Sequence, residues 1–156
     1  MPGHIGEYVA SKIFRIHLEP SATKEGIDGT FIDGTLAGKT VNIKLYGKQE
    51  GLLDITVNNL ADYYLVLSGP KSYQSSSRGT SRPLVISNVY LFKMQELLEK
   101  LKRRGVRIGI ATSIAAEYWI DAELYPTTRN KEMILTADQN AQLAKFSQLT
   151  NTVKPI

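Results

Sequence analysis

The stretch GIDGTFIDGTLAGKTVNIKLY, residues 26–46, decides the fold. Residues 27–32 are rich in β-forming side chains and apolar at alternate positions, and Asp33-Gly34 then supplies a turn signal. Residues 41–46 again alternate between apolar and polar side chains, which is the period of a strand with one buried face. The stretch therefore predicts a β-hairpin.

The position of the bend determines which side chains of this hairpin face each other. A bend over residues 33–39 places Asp28 opposite Lys44. Asn42 and Lys44 share a face, because side chains of a strand repeat every two residues. We therefore expect Asp28, Asn42 and Lys44 to project from one side of the sheet, unless a bulge at Gly29 shifts the register by one residue.

The rest of the chain alternates between helical and extended patterns. A helix between two strands near the end of the chain implies a parallel pair joined by a crossover, and the early hairpin implies antiparallel pairing. The sheet is therefore predicted to be mixed. The further predicted elements before residue 105 are a helix over 5–18, a strand over 63–67, a long polar loop over 69–83, a strand over 84–92, and an amphipathic helix that starts at Met94 and is ended by Arg103-Arg104-Gly105. After it come a buried strand over 106–111, a helix capped by Ser113 and running to about Leu124, and a last helix from a Thr136–Gln139 capping box to about Gln148.

Composition limits the class of protein. The chain has 156 residues and 42% apolar residues, which suits one domain with a real core. The absence of cysteine excludes disulfides, thiolate zinc sites and cysteine nucleophiles, and it fits a reducing compartment. The N-terminus lacks a signal-peptide pattern, and no apolar run approaches the roughly 18 residues needed to cross a bilayer. We expect a cytoplasmic protein without a membrane partner.

The formal net charge is +4, a modest excess that is compatible with a nucleic-acid partner. Basic residues cluster in 100–107 and also occur in the serine-rich loop, at Lys71, Arg78 and Arg82. Serine hydroxyls and arginine guanidinium groups suit phosphate oxygens, so these three cations are candidates for nucleic-acid binding. The alternative for them is a solvated loop.

The hairpin resembles the site of the PD-(D/E)xK nucleases, which carry an aspartate on one hairpin strand and an acidic-x-lysine triplet on the next. Residues 26–29, GIDG, match the first motif without its proline, and residues 41–44, VNIK, match the second with Asn42 where an acid is expected. The resemblance implies an α/β fold with a mixed β-sheet flanked by helices, the restriction-endonuclease-like αβββαβ core. It further implies one such domain over residues 1–156, with a C-terminal helical extension from about residue 127.

The same resemblance implies the roles of the site residues. Asp28 and Lys44 would be catalytic, and Glu7 would join them, since a glutamate on the opening helix often completes the family's site. On a helical wheel Glu7 lies nearly opposite the apolar stripe, so a surface position is the alternative. Asp28, Asn42 and Glu50 would bind Mg²⁺, or Mn²⁺ in its place, with Asp54 as the alternative to Glu50.

The implied function is metal-dependent hydrolysis of DNA phosphodiester bonds, in a weakened or degenerate form because asparagine brings no charge to the metal. The implied partner is double-stranded DNA, and cutting both strands is compatible with a homodimer. Two alternatives stay open. One is a non-catalytic DNA-binding or protein-interaction module that kept the fold, and the other is a ligand that is not nucleic acid.

Overall fold

A computed structural model describes residues 2–20, 26–70 and 84–147 of the chain. Its elements, in order, are α1 (Pro2–Phe14), β1 (Ile16–Leu18), β2 (Gly29–Phe31), β3 (Thr40–Tyr46), β4 (Leu52–Leu53), β5 (Tyr63–Ser68), β6 (Asn88–Lys93), α2 (Met94–Arg103), β7 (Thr112–Ser113), α3 (Ala116–Ala122), β8 (Glu123–Tyr125) and α4 (Ala137–Ala144). None of the helices in these three ranges is long and apolar enough to cross a membrane.

The main sheet has six strands in the order β1-β2-β3-β5-β6-β8, and β4 pairs with β7 in a separate two-stranded sheet. Strands β3 and β5 run parallel, whereas the other neighbours in both sheets are antiparallel. The prediction of an α/β fold with a mixed sheet is therefore confirmed.

The two faces of the main sheet bury different cores. One face packs against α1 and α4, and its buried side chains include Val41, Ile43, Leu65, Leu91 and Leu143. The other face packs against α2, α3 and the segment that contains β4, and its buried side chains include Leu53, Tyr64, Tyr90, Met94 and Trp119. Alternate side chains of β3 and β5 thus enter different cores, as the period of a strand requires.

The prediction of one helix over 5–18 is wrong in its last four residues. The helix ends at Phe14, Arg15 takes a positive φ of 57°, and Ile16–Leu18 forms a strand that pairs with β2. Gly29 permits this pairing, because a Cβ at that position would lie 2.5 Å from the carbonyl oxygen of His17. Periodicity extended the helix too far because Ile16 fits the helical stripe and the strand equally well.

The predicted buried strand over 106–111 is also wrong. This segment is a loop, Ile110 is 87% exposed, and the strand that follows covers only Thr112–Ser113. The next helix is capped by Ala115 instead of Ser113, and its predicted last turn is instead strand β8. An apolar run of strand length does not by itself show that the run is buried.

The parallel pair arises differently from the expectation. We expected a helix to join two parallel strands near the end of the chain, but the parallel strands β3 and β5 are joined by residues 47–62, which contain β4 and no helix. The neighbours β6 and β8, which flank α2 and α3 in sequence, are antiparallel. The predicted helix α2 and the capping box of α4 are confirmed, with Thr136 and Gln139 bonded reciprocally.

The hairpin has a register two residues away from the predicted one. Gly29 pairs with Val41 and Thr30 with Thr40, whereas the N–H of Asp28 also donates to the carbonyl of Val41, so the ladder is irregular at Asp28 and Lys44 does not stand opposite it. Asn42 and Lys44 share a face, because the side-chain period of a strand is two. Asp28 lies close enough to Tyr64, on that face, for its charge to raise the pKa of the tyrosine.

Candidate functional site

Asp28 is fixed by three hydrogen bonds, two to β3 and one to Glu19 just after β1. Its backbone N–H donates to the carbonyl of Val41 at 2.9 Å, and its carbonyl accepts from the N–H of Glu19 at 2.8 Å. Its carboxylate oxygen Oδ2 accepts from the backbone N–H of Ile43 at 2.7 Å. A bond from an amide to a charged acceptor is among the stronger hydrogen bonds of proteins, so the partly buried carboxylate is held in one position beside the strand.

Asn42 lies beside the same segment and is only 6% exposed. Its Nδ2 donates to the carbonyl of Gly26 at 2.9 Å, and this bond orients the side-chain amide. The other hydrogen-bonding atom of the amide is Oδ1. Among the residues that the structure describes, Oδ1 has no hydrogen-bond partner although it is buried. A buried acceptor without a partner costs about 1–3 kcal/mol. This oxygen therefore calls for a water or a cation next to it.

Lys44 is two residues further along β3, on the same face as Asn42. Its Nζ lies 5.8 Å from the centroid of the Tyr64 ring. Tyr64 belongs to the parallel neighbour β5, where it stands opposite Asn42. The ammonium is therefore held over an aromatic face, next to the strand position that carries the orphan oxygen.

A short segment, which we call the strap (residues 52–56), crosses this face of the sheet. The backbone N–H of Asp54 donates to the hydroxyl of Tyr46 at 3.1 Å, and the N–H of Thr56 donates to the hydroxyl of Tyr64 at 2.9 Å. Leu53 and Ile55 anchor the strap in the core below it. Two tyrosines from adjacent strands thus fix the position of Asp54.

The pKa values of the Tyr46 and Tyr64 hydroxyls depend on burial and on neighbouring groups. Burial is the largest cause of the raised pKa of Tyr64, and the negative charges of Asp28 and Asp54 raise it further. Burial likewise raises the pKa of Tyr46, and the hydrogen bond from the backbone N–H of Asp54 opposes this increase in part. Both carboxylates therefore lie close enough to Tyr64 for their fields to reach its hydroxyl.

Glu50 and Asp54, the two candidates for the acid that is missing at position 42, differ in their surroundings. Glu50 is exposed and forms an ion pair with Lys48, at 3.4 Å between Oε2 and Nζ. Asp54 is partly buried, and its Oδ1 accepts from the backbone N–H of Ala111 at 2.8 Å. Of the two, the structure places Asp54 with Tyr46 and Tyr64 and leaves Glu50 at the surface.

Glu7 is partly buried on α1. That helix packs against the opposite face of the sheet, with Ala10, Ile13 and Phe14 in the first core. The predicted basic residues Lys71, Arg78 and Arg82 lie outside the described ranges.

The donor atoms at Asp28 and Asn42 fit a hard cation. A carboxylate and an orphaned amide oxygen are both oxygen ligands of the kind Mg²⁺ binds, and Mg²⁺ in proteins keeps several waters beside one or two carboxylates. Within 2–20, 26–70 and 84–147 no group of three or more histidine or acidic side chains could hold a metal ion. The site is therefore poor in negative charge, and its affinity for a cation would be low.

Sequence reasoning missed the part played by Tyr64 and left Asp54 and Glu50 as alternatives. Tyr64 lies in the predicted strand over 63–67 and is fully buried. Its relation to Asn42 depends on the parallel register of β3 and β5, which no local pattern encodes. The signal for Asp54 was weaker still, namely an acid just beyond the second motif.

A cleft of about 310 Å³ lies between α2 and α3 and is lined by Lys100, Tyr118 and Asn130 among others. None of its lining residues is Asp28, Asn42 or Lys44. Asn130 closes it by donating to the carbonyls of Leu91 and Ala122. The cleft is therefore separate from the site on β3.

No protein-family model and no curated protein matches this chain, so its function rests on the geometry of Asp28, Asn42 and Lys44.

Proposed function

We propose that this chain is a metal-dependent nuclease of restriction-endonuclease-like architecture, which hydrolyses DNA phosphodiester bonds at Asp28, Asn42 and Lys44. The observation that carries the proposal is the buried Oδ1 of Asn42, which has no partner within the described ranges, on a strand whose next residue, Ile43, fixes the carboxylate of Asp28. Phosphodiester hydrolysis can use oxygen atoms that bind a cation together with an ammonium group that offsets negative charge. Asp28 and Asn42 supply the oxygens, and Lys44 supplies the ammonium.

Asp28 and Asn42 would hold the cation. When bound, Mg²⁺ polarises a phosphate oxygen and lowers the pKa of a water molecule. The hydrogen bond from Ile43 to Asp28 keeps the carboxylate from rotating away, at 2.7 Å. Asp54 adds a second negative charge on the same face, through the strap.

Lys44 would stabilise the negative charge that develops on the phosphate as the bond breaks. A donor fixed before the reaction is more effective than one that must reorient, and the ring of Tyr64 gives the ammonium such a position. The hydroxyl of Tyr64 is protonated at neutral pH, since burial raises its pKa above an ordinary value that already lies well above neutrality. The ammonium of Lys44 therefore faces a neutral aromatic ring.

A degenerate, DNA-binding module is the second candidate. Asn42 stands where an acid would double the charge at the metal, and no cluster of three acidic or histidine ligands exists in the described part of the chain. This arrangement favours weak metal binding and, at the limit, no catalysis.

A plasmid-nicking assay with Mg²⁺ or Mn²⁺ tests the proposal. The wild-type protein should relax supercoiled DNA, and Lys44→Ala and Asp28→Asn should each lose about hundredfold or more of the rate. Lys48→Ala is the matched control. Lys48 is an exposed lysine just after β3, and it forms an ion pair with Glu50. It should cut like the wild type.

The outcomes separate the candidates. Binding of duplex DNA at low salt without cutting, unaffected by Lys44→Ala, would support the degenerate module. Cutting that persists in both Lys44→Ala and Asp28→Asn would place the chemistry elsewhere. No gel shift at low salt, where phosphate contacts are strongest, would contradict both candidates.

A further inference from the structure

The loop between α2 and β7 presents an isoleucine to solvent. Ile110 is 87% exposed, more than any other large apolar side chain in the described ranges. The next residue, Ala111, has a φ of 60°, a left-handed conformation that residues with a Cβ rarely adopt. Both features cost free energy in an isolated protein, and strain of this kind is concentrated at functional sites.

This loop is braced on both sides of its tip. Gly109 accepts from the backbone N–H of Ile55 at 3.0 Å, and the Thr112 hydroxyl bonds to the backbone of Gly109 at 2.6 and 2.9 Å. The carboxylate of Asp54 accepts from the N–H of Ala111 at 2.8 Å. Ile110 is therefore held outward by the surrounding structure and is not a frayed end.

The bracing ties Ile110 to the candidate site. Asp54 bonds to the loop through its side chain and to Tyr46 through its backbone, and its charge reaches the hydroxyl of Tyr64. The tip residue, Ile110, is followed directly by Ala111, whose backbone N–H bonds to Asp54. The loop is therefore tied to the strap that crosses the face of Asn42 and Lys44.

Positive charge precedes the tip in the chain. The last turn of α2 and the residues after it carry exposed cations at Lys102, Arg103 and Arg107. Arg104 is paired with Glu117 at 3.1 Å, so that cation is partly neutralised. An apolar tip behind a basic segment is complementary to a groove whose rims are phosphates and whose floor is apolar base surface.

We propose that Ile110 is an apolar wedge that enters the minor groove of double-stranded DNA and partly unstacks one base step beside the candidate site. This inference rests on the proposed function, since it assigns the duplex as substrate and gives the loop a role in holding it. A single rigid isoleucine suits a base step better than a lipid surface, which binds broad apolar faces.

Fluorescence of 2-aminopurine tests the wedge. A set of short duplexes, each with 2-aminopurine at a different position, is titrated with the wild-type protein, Ile110→Ala and Ile134→Ala. Ile134 is the matched control, an isoleucine that is 74% exposed and lines a cleft beside Phe14 and Leu36. We expect the wild type and Ile134→Ala to raise the fluorescence, and Ile110→Ala to bind about tenfold more weakly without the rise.

Three results would overturn the wedge. Equal affinity and equal fluorescence for Ile110→Ala would do so while leaving the proposed nuclease intact, because the wild type would still bind DNA. Weaker binding by Ile110→Ala without any unstacking by the wild type would reduce the loop to a surface contact. Sedimentation of the wild type, but not of Ile110→Ala, with phosphatidylserine vesicles, together with unchanged DNA binding, would make the loop a membrane contact.

The failure of the two proposals can be told apart. If the wild-type protein does not bind duplex DNA at low salt, both proposals fall. If it binds and cuts duplex DNA and only the fluorescence test fails, the wedge alone falls.

Discussion

Strand β3 has two faces that differ in kind. Val41 and Ile43 enter a core that is almost wholly apolar and lies under α1 and α4. Asn42 and Lys44 alternate with them and lie on the other face. There Asn42 bonds to the segment that carries Asp28, Lys44 lies over the ring of Tyr64, and the strap crosses the sheet. Packing alone explains one face of the strand, whereas on the other face the buried Oδ1 of Asn42 has no hydrogen-bond partner among the described residues. The second face is therefore the one on which we place the proposed cation.

The largest expected effect belongs to the apolar face. Leu65→Ala removes a side chain that is 0% exposed in the central strand of that face, so the free energy of unfolding should fall by about 3 kcal/mol. Urea denaturation measures this loss. The nicking rate per folded molecule should be unchanged, and a rate that fell with Leu65→Ala would show that the two faces are not independent.

Asn42→Asp tests the ligand face with an intermediate effect. A buried carboxylate without a cation should lower the free energy of unfolding by about 2 kcal/mol, because the charge is desolvated. Added Mg²⁺ should restore much of that stability, since the cation would bind the folded state only. Thermal melts with Mg²⁺ and with chelator measure the recovery. A loss that Mg²⁺ leaves untouched would contradict a cation site at this position.

Tyr64→Phe has a smaller effect that depends on pH. The phenylalanine leaves the backbone N–H of Thr56 without its acceptor, so the free energy of unfolding should fall by about 1 kcal/mol at pH 7. Burial raises the pKa of Tyr64, so the unfolded chain loses this proton first, and the contribution present below about pH 10 is lost as pH rises through the folded pKa. The gap between the wild type and the variant should therefore shrink in alkali, and a gap that stayed constant would contradict the burial of this hydroxyl.

The smallest effect on stability belongs to Ile110→Ala. An exposed side chain contributes little to folding, so the free energy of unfolding should stay within about 0.5 kcal/mol of the wild type. Urea denaturation next to Ile134→Ala measures it. A loss as large as that of Leu65→Ala would show that Ile110 packs in solution and is not presented to a ligand.

Much of the fold follows from local patterns. Alternation placed β3, an apolar run of strand length placed β5, and the capping box placed the start of α4. The apolar pattern failed at 106–111, which was predicted to be a buried strand and whose Ile110 turns out to solvent. It also failed at Ile16, which fits a helix and a strand equally well.

Less of the candidate site could be predicted. The period of two sufficed to put Asn42 and Lys44 on one face, even with the register displaced by two residues. The neighbours of that face depend on the pairing of β3 with β5 and on the path of the strap, both set by contacts between segments distant in sequence. Local patterns therefore identified Asp28, Asn42 and Lys44 but neither Tyr64 nor the choice of Asp54 over Glu50.

The most direct test of the account is the position of Mn²⁺ in crystals soaked with the ion, read from its anomalous scattering. A cation site at Asn42 predicts a peak at about 2.1 Å from Asn42 Oδ1, with Asp28 as its second protein ligand. The same soak of Asp28→Asn should lose the peak. A peak at Glu50, or an ordered water that satisfies Asn42 Oδ1 at saturating Mn²⁺, would contradict the account.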